Sequence, residues 1–209
     1  MANTASKIDV TLCGCNDDDI KAIKDILKSY ENGEFRNRGQ GNVYVVQTFD
    51  EMTSEGLGFD LRENGKVIVG INGSEETFIV KCKEEDKSRV IEQVLLMFSG
   101  SKICDADASD YLPFLTNGCT FYWKRINEND ELQDEDAFLK ENMDFFAKTY
   151  ESSRKNSIKT YYQITGGVSL VDFFELASEL ENCEWIDESV FQYTGCEVVD
   201  DILSVFVSD

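Results

Sequence analysis

Histidine is absent from all 209 residues, and proline occurs once, at Pro113. Without an imidazole there is no base of the usual kind to activate a Ser or Cys nucleophile. The commonest zinc ligand is missing too, so a zinc site would need four cysteines or carboxylates. The seven cysteines, at 13, 15, 82, 104, 119, 183 and 196, include no C-x-x-C pair, and the count is odd. That pattern excludes a disulfide framework and fits reduced thiols in a cytoplasmic protein. No apolar leader precedes them, and no run approaches the roughly 20 apolar residues of a membrane-spanning helix. The most pointed absence lies at the C-terminal end, because after Lys159 the chain has no Lys, Arg or His.

What fills that stretch is acid: Asp172, Glu175, Glu179, Glu181, Glu184, Asp187, Glu188, Glu197, Asp200, Asp201 and Asp209. The whole chain carries 41 acidic and 20 basic side chains, a formal charge of −21. The asymmetry is internal as well. Residues 1–98 hold 18 acids and 12 bases, a balance of −6, and residues 99–209 hold 23 and 8, a balance of −15. Such a surface repels itself and repels phosphate, so direct binding to nucleic acid or to an anionic membrane is disfavoured. With 14 of the 20 bases being Lys and many large apolar residues present, salt adaptation is the weaker account of the charge. At 42% hydrophobic and 11% aromatic the chain has ample material for a core, and disorder is excluded as a general description.

Periodicity predicts an α+β fold, with antiparallel sheet and helices packed on one face, as one fold or as two similar strand–helix–strand–helix modules. Strands are expected from Lys7 to Cys13, Val43 to Phe49, Gly58 to Arg62, Lys66 to Ile71 and Thr77 to Cys82. The turns Glu63-Asn64-Gly65 and Asn72-Gly73 imply a meander. Helices are expected after Asn16 and from Glu84 to Phe98. Residues 1–100 form the N-terminal module, 101–118 a linker and 119–209 the acidic C-terminal module. In the latter, Cys119 to Ile126, Ser157 to Thr165, Trp185 to Tyr193 and Glu197 to Val207 read as strands. Asp130 to Ser153 reads as a helix, and so does the segment capped by Ser169, with Leu170, Phe173, Phe174, Ala177 and Leu180 on its buried face.

Most acidic clusters have a local explanation. Asp17-Asp18-Asp19, Glu84-Glu85-Asp86 and Asp130-Glu131 open helices, where carboxylates satisfy free N–H groups and oppose the macrodipole. Asp105 to Asp110 resembles the opening of a calcium loop, but the sixth position is Asp110 instead of glycine and the twelfth is Thr116 instead of glutamate. Cys13-Gly14-Cys15 reads as buried thiols at a strand end. Arg36-Asn37-Arg38-Gly39-Gln40-Gly41 precedes a strand and not a helix, so it reads as a mobile loop rather than a phosphate cradle. No catalytic residue, metal ligand or cofactor is assigned.

The helix capped by Ser169 resists this explanation. Glu175 and Glu179 are a like-charge pair four residues apart, and Glu179 and Glu181 lie toward its negative end. Residues that weaken their own element point to function. Asp172, Glu175, Glu179, Glu181, Glu184, Asp187 and Glu188 are therefore the expected partner-binding residues, and the expected partner is a basic protein. The reading is an acidic nucleic-acid mimic, an inhibitor that occupies the basic groove of a nuclease or another DNA- or RNA-binding effector. An anti-restriction or anti-CRISPR factor, or an immunity protein, would have this character. Two alternatives stand beside it. One is a scaffold protein with incidental acidity, bound through Tyr161, Tyr162, Trp185 and Tyr193. The other is a divalent-metal enzyme using Asp17 to Asp19 or Asp105 to Asp110.

Overall fold

The computed structural model describes residues 6–13, 21, 34–38, 41–48, 57–62, 65–71, 77–99, 102–104, 115, 117–126, 135–153, 157–165, 170–194 and 202–209. The chain divides into two compact units, Met1–Ser101 with Thr116–Cys119, and Lys102–Leu115 with Thr120–Asp209. The class is α+β in both.

In the first unit the chain forms β1 (Ser6–Cys13), β2 (Glu34–Arg38), β3 (Gly41–Thr48), β4 (Leu57–Arg62), β5 (Lys66–Ile71) and β6 (Thr77–Lys81). A 3-10 turn (Glu84–Asp86) then leads into helix α1 (Lys87–Ser99). The strands lie in the order β2-β3-β1-β4-β5-β6. The expected meander is present as β4-β5-β6, each pair antiparallel. Its buried ladder shows why the alternation was readable. Phe59 faces Val69, Leu61 faces Val67, Val67 faces Val80 and Val69 faces Phe78, and all six side chains are buried. Along β6 the alternation is complete, with Phe78 and Val80 in and Thr77, Ile79 and Lys81 out.

Two expectations are corrected here. The sheet is mixed and not simply antiparallel, because β1 pairs parallel with β4. A parallel neighbour needs a long return connection, and the β2–β3 hairpin lies within that connection. The basic segment read as a mobile loop supplies the first strand of that hairpin, with Arg36 opposite Val43 and Arg38 opposite Gly41. Gly39 and Gln40, at its tip, lie outside the described residues.

Helix α1 packs across β3 and β5. Val90, Ile91, Val94 and Leu95 are buried as the periodicity requires, and so are Leu96, Met97, Gln93 and Glu92. The Glu92 carboxylate is paired with the Arg89 guanidinium one turn back, which lets its charge leave water. At the helix entry, Gly65 and Glu84 lock a hairpin turn to the 3-10 turn. The Gly65 N–H donates to Glu84 Oε2 at 2.7 Å, and the Cys82 N–H donates to the Gly65 carbonyl at 2.7 Å. Glu84 also binds the Lys87 ammonium, and the Lys87 and Gly65 hydrogen bonds hold its carboxyl below the usual range.

The second unit contains β7 (Lys102–Cys104), β8 (Cys119–Arg125), α2 (Glu135–Ser153), β9 (Ile158–Thr165), α3 (Leu170–Glu181), β10 (Ile186–Thr194) and β11 (Ile202–Ser208). The strand order is β8-β11-β9-β10-β7. This sheet is mixed as well: β9 and β10 are parallel, with α3 as the crossover, and β11 pairs antiparallel with β9. Strand β7 falls within the segment expected as linker and pairs with the end of β10.

Helices α2 and α3 share one core with the sheet. Phe146, Phe173, Leu176 and Leu180 meet Ile158, Tyr162, Ile164, Leu203, Val205 and Val207. Ring contacts tie it together, with Phe146 edge-on to Tyr162 at 5.4 Å and Phe173 stacked on Tyr193 at 5.2 Å. The other side of β9 and β11 is buried too. There the Tyr161 hydroxyl donates to Gln192 Oε1 at 2.6 Å and lies 3.2 Å from Gln163 Oε1. A central strand covered on both faces loses the simple alternation of a half-exposed one, and β9 is buried from Thr160 to Thr165. Among the described residues no helix is long and apolar enough to cross a membrane.

Candidate acidic interface

The candidate site is built on α3 and the turn that follows it. The helix buries Phe173, Leu176, Ala177 and Leu180, spaced at i, i+3, i+4 and i+7. This corrects the expected buried face, because Leu170 and Phe174 are on the outside, 44% and 52% exposed. With Val171 at 59%, they are three of the four exposed large apolar side chains among the described residues. The spacing of the buried four was present in the sequence and leaves Leu170 and Phe174 off the inner stripe.

Apart from Ser178, the remaining outward positions are acidic. Glu175, Glu179 and Glu181 are exposed, and Asp172 is half-buried. At 3.6 residues per turn, Asp172, Glu175 and Glu179 form one lane along one flank of the outer face, and Leu170 and Phe174 form a second lane along the opposite flank, roughly 150° away around the helix axis. Val171 and Ser178 lie between the lanes. Glu181 closes the apolar lane at the C-terminal end.

No basic residue occupies the last turn of α3. Its terminal carbonyls are satisfied by neutral donors instead. The Asn182 side chain donates to the Ser178 carbonyl at 2.8 Å, and the Asn182 N–H and the Cys183 thiol donate to that of Glu179 at 3.2 and 3.3 Å. Among the described residues, the helix end is thus capped without any cation that would neutralise the carboxylates. Exposed Glu184 follows, and the Trp185 carbonyl accepts the Ile158 N–H at 2.9 Å, tying this turn to the start of β9.

Asp187 and Glu188 come next, both exposed, at a register shift between Ile186 and Glu188. Ile186 faces Ile158 and Glu188 faces Lys159, so Asp187 is the extra residue of a bulge. Neighbouring strand residues ordinarily point to opposite faces, yet here both carboxylates reach one ammonium. Lys159 Nζ lies 2.7 Å from Glu188 Oε2 and 4.0 Å from Asp187 Oδ2. The Glu188 hydrogen bond and charge, with the Asp187 charge, push the Lys159 pKa up. The last cation of the sequence therefore serves these two acids. Among the described residues, no ion pair engages Asp172, Glu175, Glu179, Glu181 or Glu184.

Three of the four aromatic anchors of the scaffold alternative are buried. Tyr161, Tyr162 and Tyr193 are buried, and Trp185 is half-buried and stacked on Tyr150 at 5.1 Å. Tyr162 and Tyr193 are core residues because α2 and α3 cover the face of the sheet that they share, and Trp185 packs against that core. Asp17 to Asp19, Asp105 to Asp110, Gly14 and Cys15 lie outside the described residues. Among the described residues no group of three or more His, Cys, Asp or Glu side chains is placed to hold a metal ion. Cys82, Cys119 and Cys183 are not in disulfides.

No family model and no curated protein matches the chain. Among solved structures it is similar to a point mutant of FtsZ from M. jannaschii, at 10% identity and a TM-score of 0.38. That similarity covers 60% of this chain, and the chain spans 41% of the FtsZ chain.

Proposed function

We propose that this chain is an acidic protein-binding inhibitor that occupies the basic nucleic-acid-binding surface of a nuclease or another DNA- or RNA-binding effector. The observation that supports this reading is the exposed carboxylate lane of α3, continued by Glu181 and Glu184, with no ion pair among the described residues. Carboxylates held at helical spacing present a row of negative charge to a groove built for phosphates. Their long-range field steers a cationic partner and accelerates encounter. Asp187 and Glu188 contribute less, since Lys159 already offsets part of their charge.

The test uses immobilised full-length protein and an extract of its native host. Retained proteins are eluted first by rising salt and then, in a parallel column, by duplex DNA or RNA. The reading expects a basic nucleic-acid-binding protein that both salt and nucleic acid displace. Retained proteins indifferent to both would overturn it.

A further inference from the structure

One edge of the second unit's sheet is only partly covered. Strand β7 pairs with β10 at Tyr193 and Thr194 alone, while β10 runs back to Ile186 and is paired with β9 along its other side. From Glu188 to Phe191 no strand among the described residues lies on the outer side, and Ser189, Val190 and Phe191 are only half-buried. Every second residue of such an edge turns its N–H and C=O groups outward, a template for a further strand. We infer that this edge takes a basic, extended segment of the partner as an added strand beside β10, in line with β7 and under the apolar flank of α3. The inference rests on the proposed reading and names the partner element that would bind.

Strand β9, helix α3 and β10 form a parallel crossover, and the right-handed turn that sheet twist imposes on such units sets β10 and then β7 to one side of α3. With Phe173, Leu176 and Leu180 turned to the sheet, the flank on that side carries Leu170, Phe174 and Glu181, and the lane of Asp172, Glu175 and Glu179 faces away. Leu170 and Phe174 therefore overhang the strand edge, and they are still 44% and 52% exposed. Phe174 lies edge-on to Phe173, which also meets Phe191 of β10 at 5.4 Å, so an apolar strip continues from the helix to the edge strand. Charge sets the sign of the occupant. Exposed Asp187 and Glu188 stand at the start of the edge and exposed Glu181 at the end of the overhang, so a segment with Lys or Arg next to apolar residues fits. A second copy is barred by register. Two-fold pairing of β10 with its own image, centred anywhere from Asp187 to Ser189, sets these two acids beside their images, and a centre further along runs into β7.

The experiment uses the full-length protein and a short synthetic peptide of alternating Lys and Val in three forms, one unmodified and two N-methylated on the backbone of every second residue, in one set or the other. All three carry the same charge, but each methylated form keeps N–H donors along only one of its two edges. Dissociation constants are measured at low and high salt for the native protein, for Phe174→Ser and for the pair Asp187→Asn with Glu188→Gln, and thermal melts verify that the variants keep the fold. One methylated form should bind like the unmodified peptide and the other about tenfold more weakly, the scale of one or two lost hydrogen bonds. Phe174→Ser should weaken the unmodified peptide several-fold, and the paired variant should weaken all three forms and flatten the salt dependence. In the free protein, alternate amides from Glu188 to Phe191 should exchange with solvent hydrogen quickly, and the unmodified peptide should protect them. Equal affinity of the two methylated forms, full affinity retained by Phe174→Ser, or slow exchange of all these amides before peptide is added overturns the inference. If the methylated forms bind equally but still depend on salt and on Asp187 and Glu188, the acidic reading stands without it. An asymmetry indifferent to salt and to the paired variant sinks the acidic reading and the basic occupant with it. No binding of any form overturns the inference, and elution by salt and nucleic acid then decides the acidic reading alone.

Discussion

Replacing Glu179 by Lys should stabilise the protein while slowing its association with a basic partner. The side chain is exposed, and the hydrogen bonds at this position involve its backbone carbonyl, which accepts from Asn182 and Cys183 and is untouched by the change. Three local terms favour the variant. Repulsion from Glu175 disappears, worth about 0.2–0.5 kcal/mol, and an acid–base pair in the favoured i, i+4 orientation replaces it with a similar gain. A cation also enters the last turn of a helix that has none, worth about 0.3–1 kcal/mol. The sum is on the order of 1 kcal/mol, or roughly 2–4 °C in Tm for a chain of this size.

Exposed charge acts mainly through steering, so the same substitution should lower the association rate and leave dissociation nearly unchanged. Melts and stopped-flow association, each at low and high salt, measure both effects, and screening should shrink both. A variant that melts lower at low salt would refute the reading of α3 as locally frustrated. A variant that is more stable but associates at the native rate would make the acidic face a solubility device.

The remaining expectations concern the interior. Gly65 has φ +65°, and a Cβ there would sit 1.9 Å from the Cys82 carbonyl oxygen, so Gly65→Ala should cost about 2–4 kcal/mol, read by chemical denaturation. Tyr161 and Tyr162 are adjacent and buried, but only Tyr161 has a hydroxyl partner among the described residues. Tyr161→Phe should therefore destabilise by about 1 kcal/mol, and Tyr162→Phe should stabilise by a similar amount, with equal signs in the two melts contradicting the assignment. Burial, reinforced by the nearby Asp86 charge, pushes the Cys82 thiol up to about 11. Its alkylation at pH 8, followed by peptide mass mapping, should run about a hundredfold slower than that of an ordinary thiol, in proportion to thiolate.

Local pattern carried most of the elements. The alternation of β6 and the spacing of Val90, Ile91, Val94 and Leu95 identify strand and helix without tertiary information. Pairing direction was harder, because whether β4 returns beside β1 parallel or antiparallel depends on what lies between them. The parallel β9–β10 pair was within reach, since a strand, a helix and a strand in succession form a crossover unit. Arg36 to Arg38 was misread because two arginines and a following glycine look like loop chemistry, while an edge strand tolerates charge on its outer side. At the candidate site the carboxylates were visible as composition. The bulge at Asp187 that gathers two of them on Lys159 was not, since it is a property of register between two strands.

The tolerance of α3 for its own acids follows from a difference of scale. Phe173, Leu176 and Leu180 are fully buried, and each contributes about 1.5–3 kcal/mol by leaving water. The like-charge pair and the uncompensated helix end cost a few tenths to about 1 kcal/mol each at the surface. The inner stripe therefore fixes the helix whatever its outer face carries, and Asn182 and Cys183 satisfy its last carbonyls without a cation. Under those conditions the outer face is free to be composed for recognition. Acids there are not needed for folding, and Leu170 and Phe174 are not needed in the core. The same separation makes the site testable, because substitutions on the outer lanes change what the helix meets without changing what holds it.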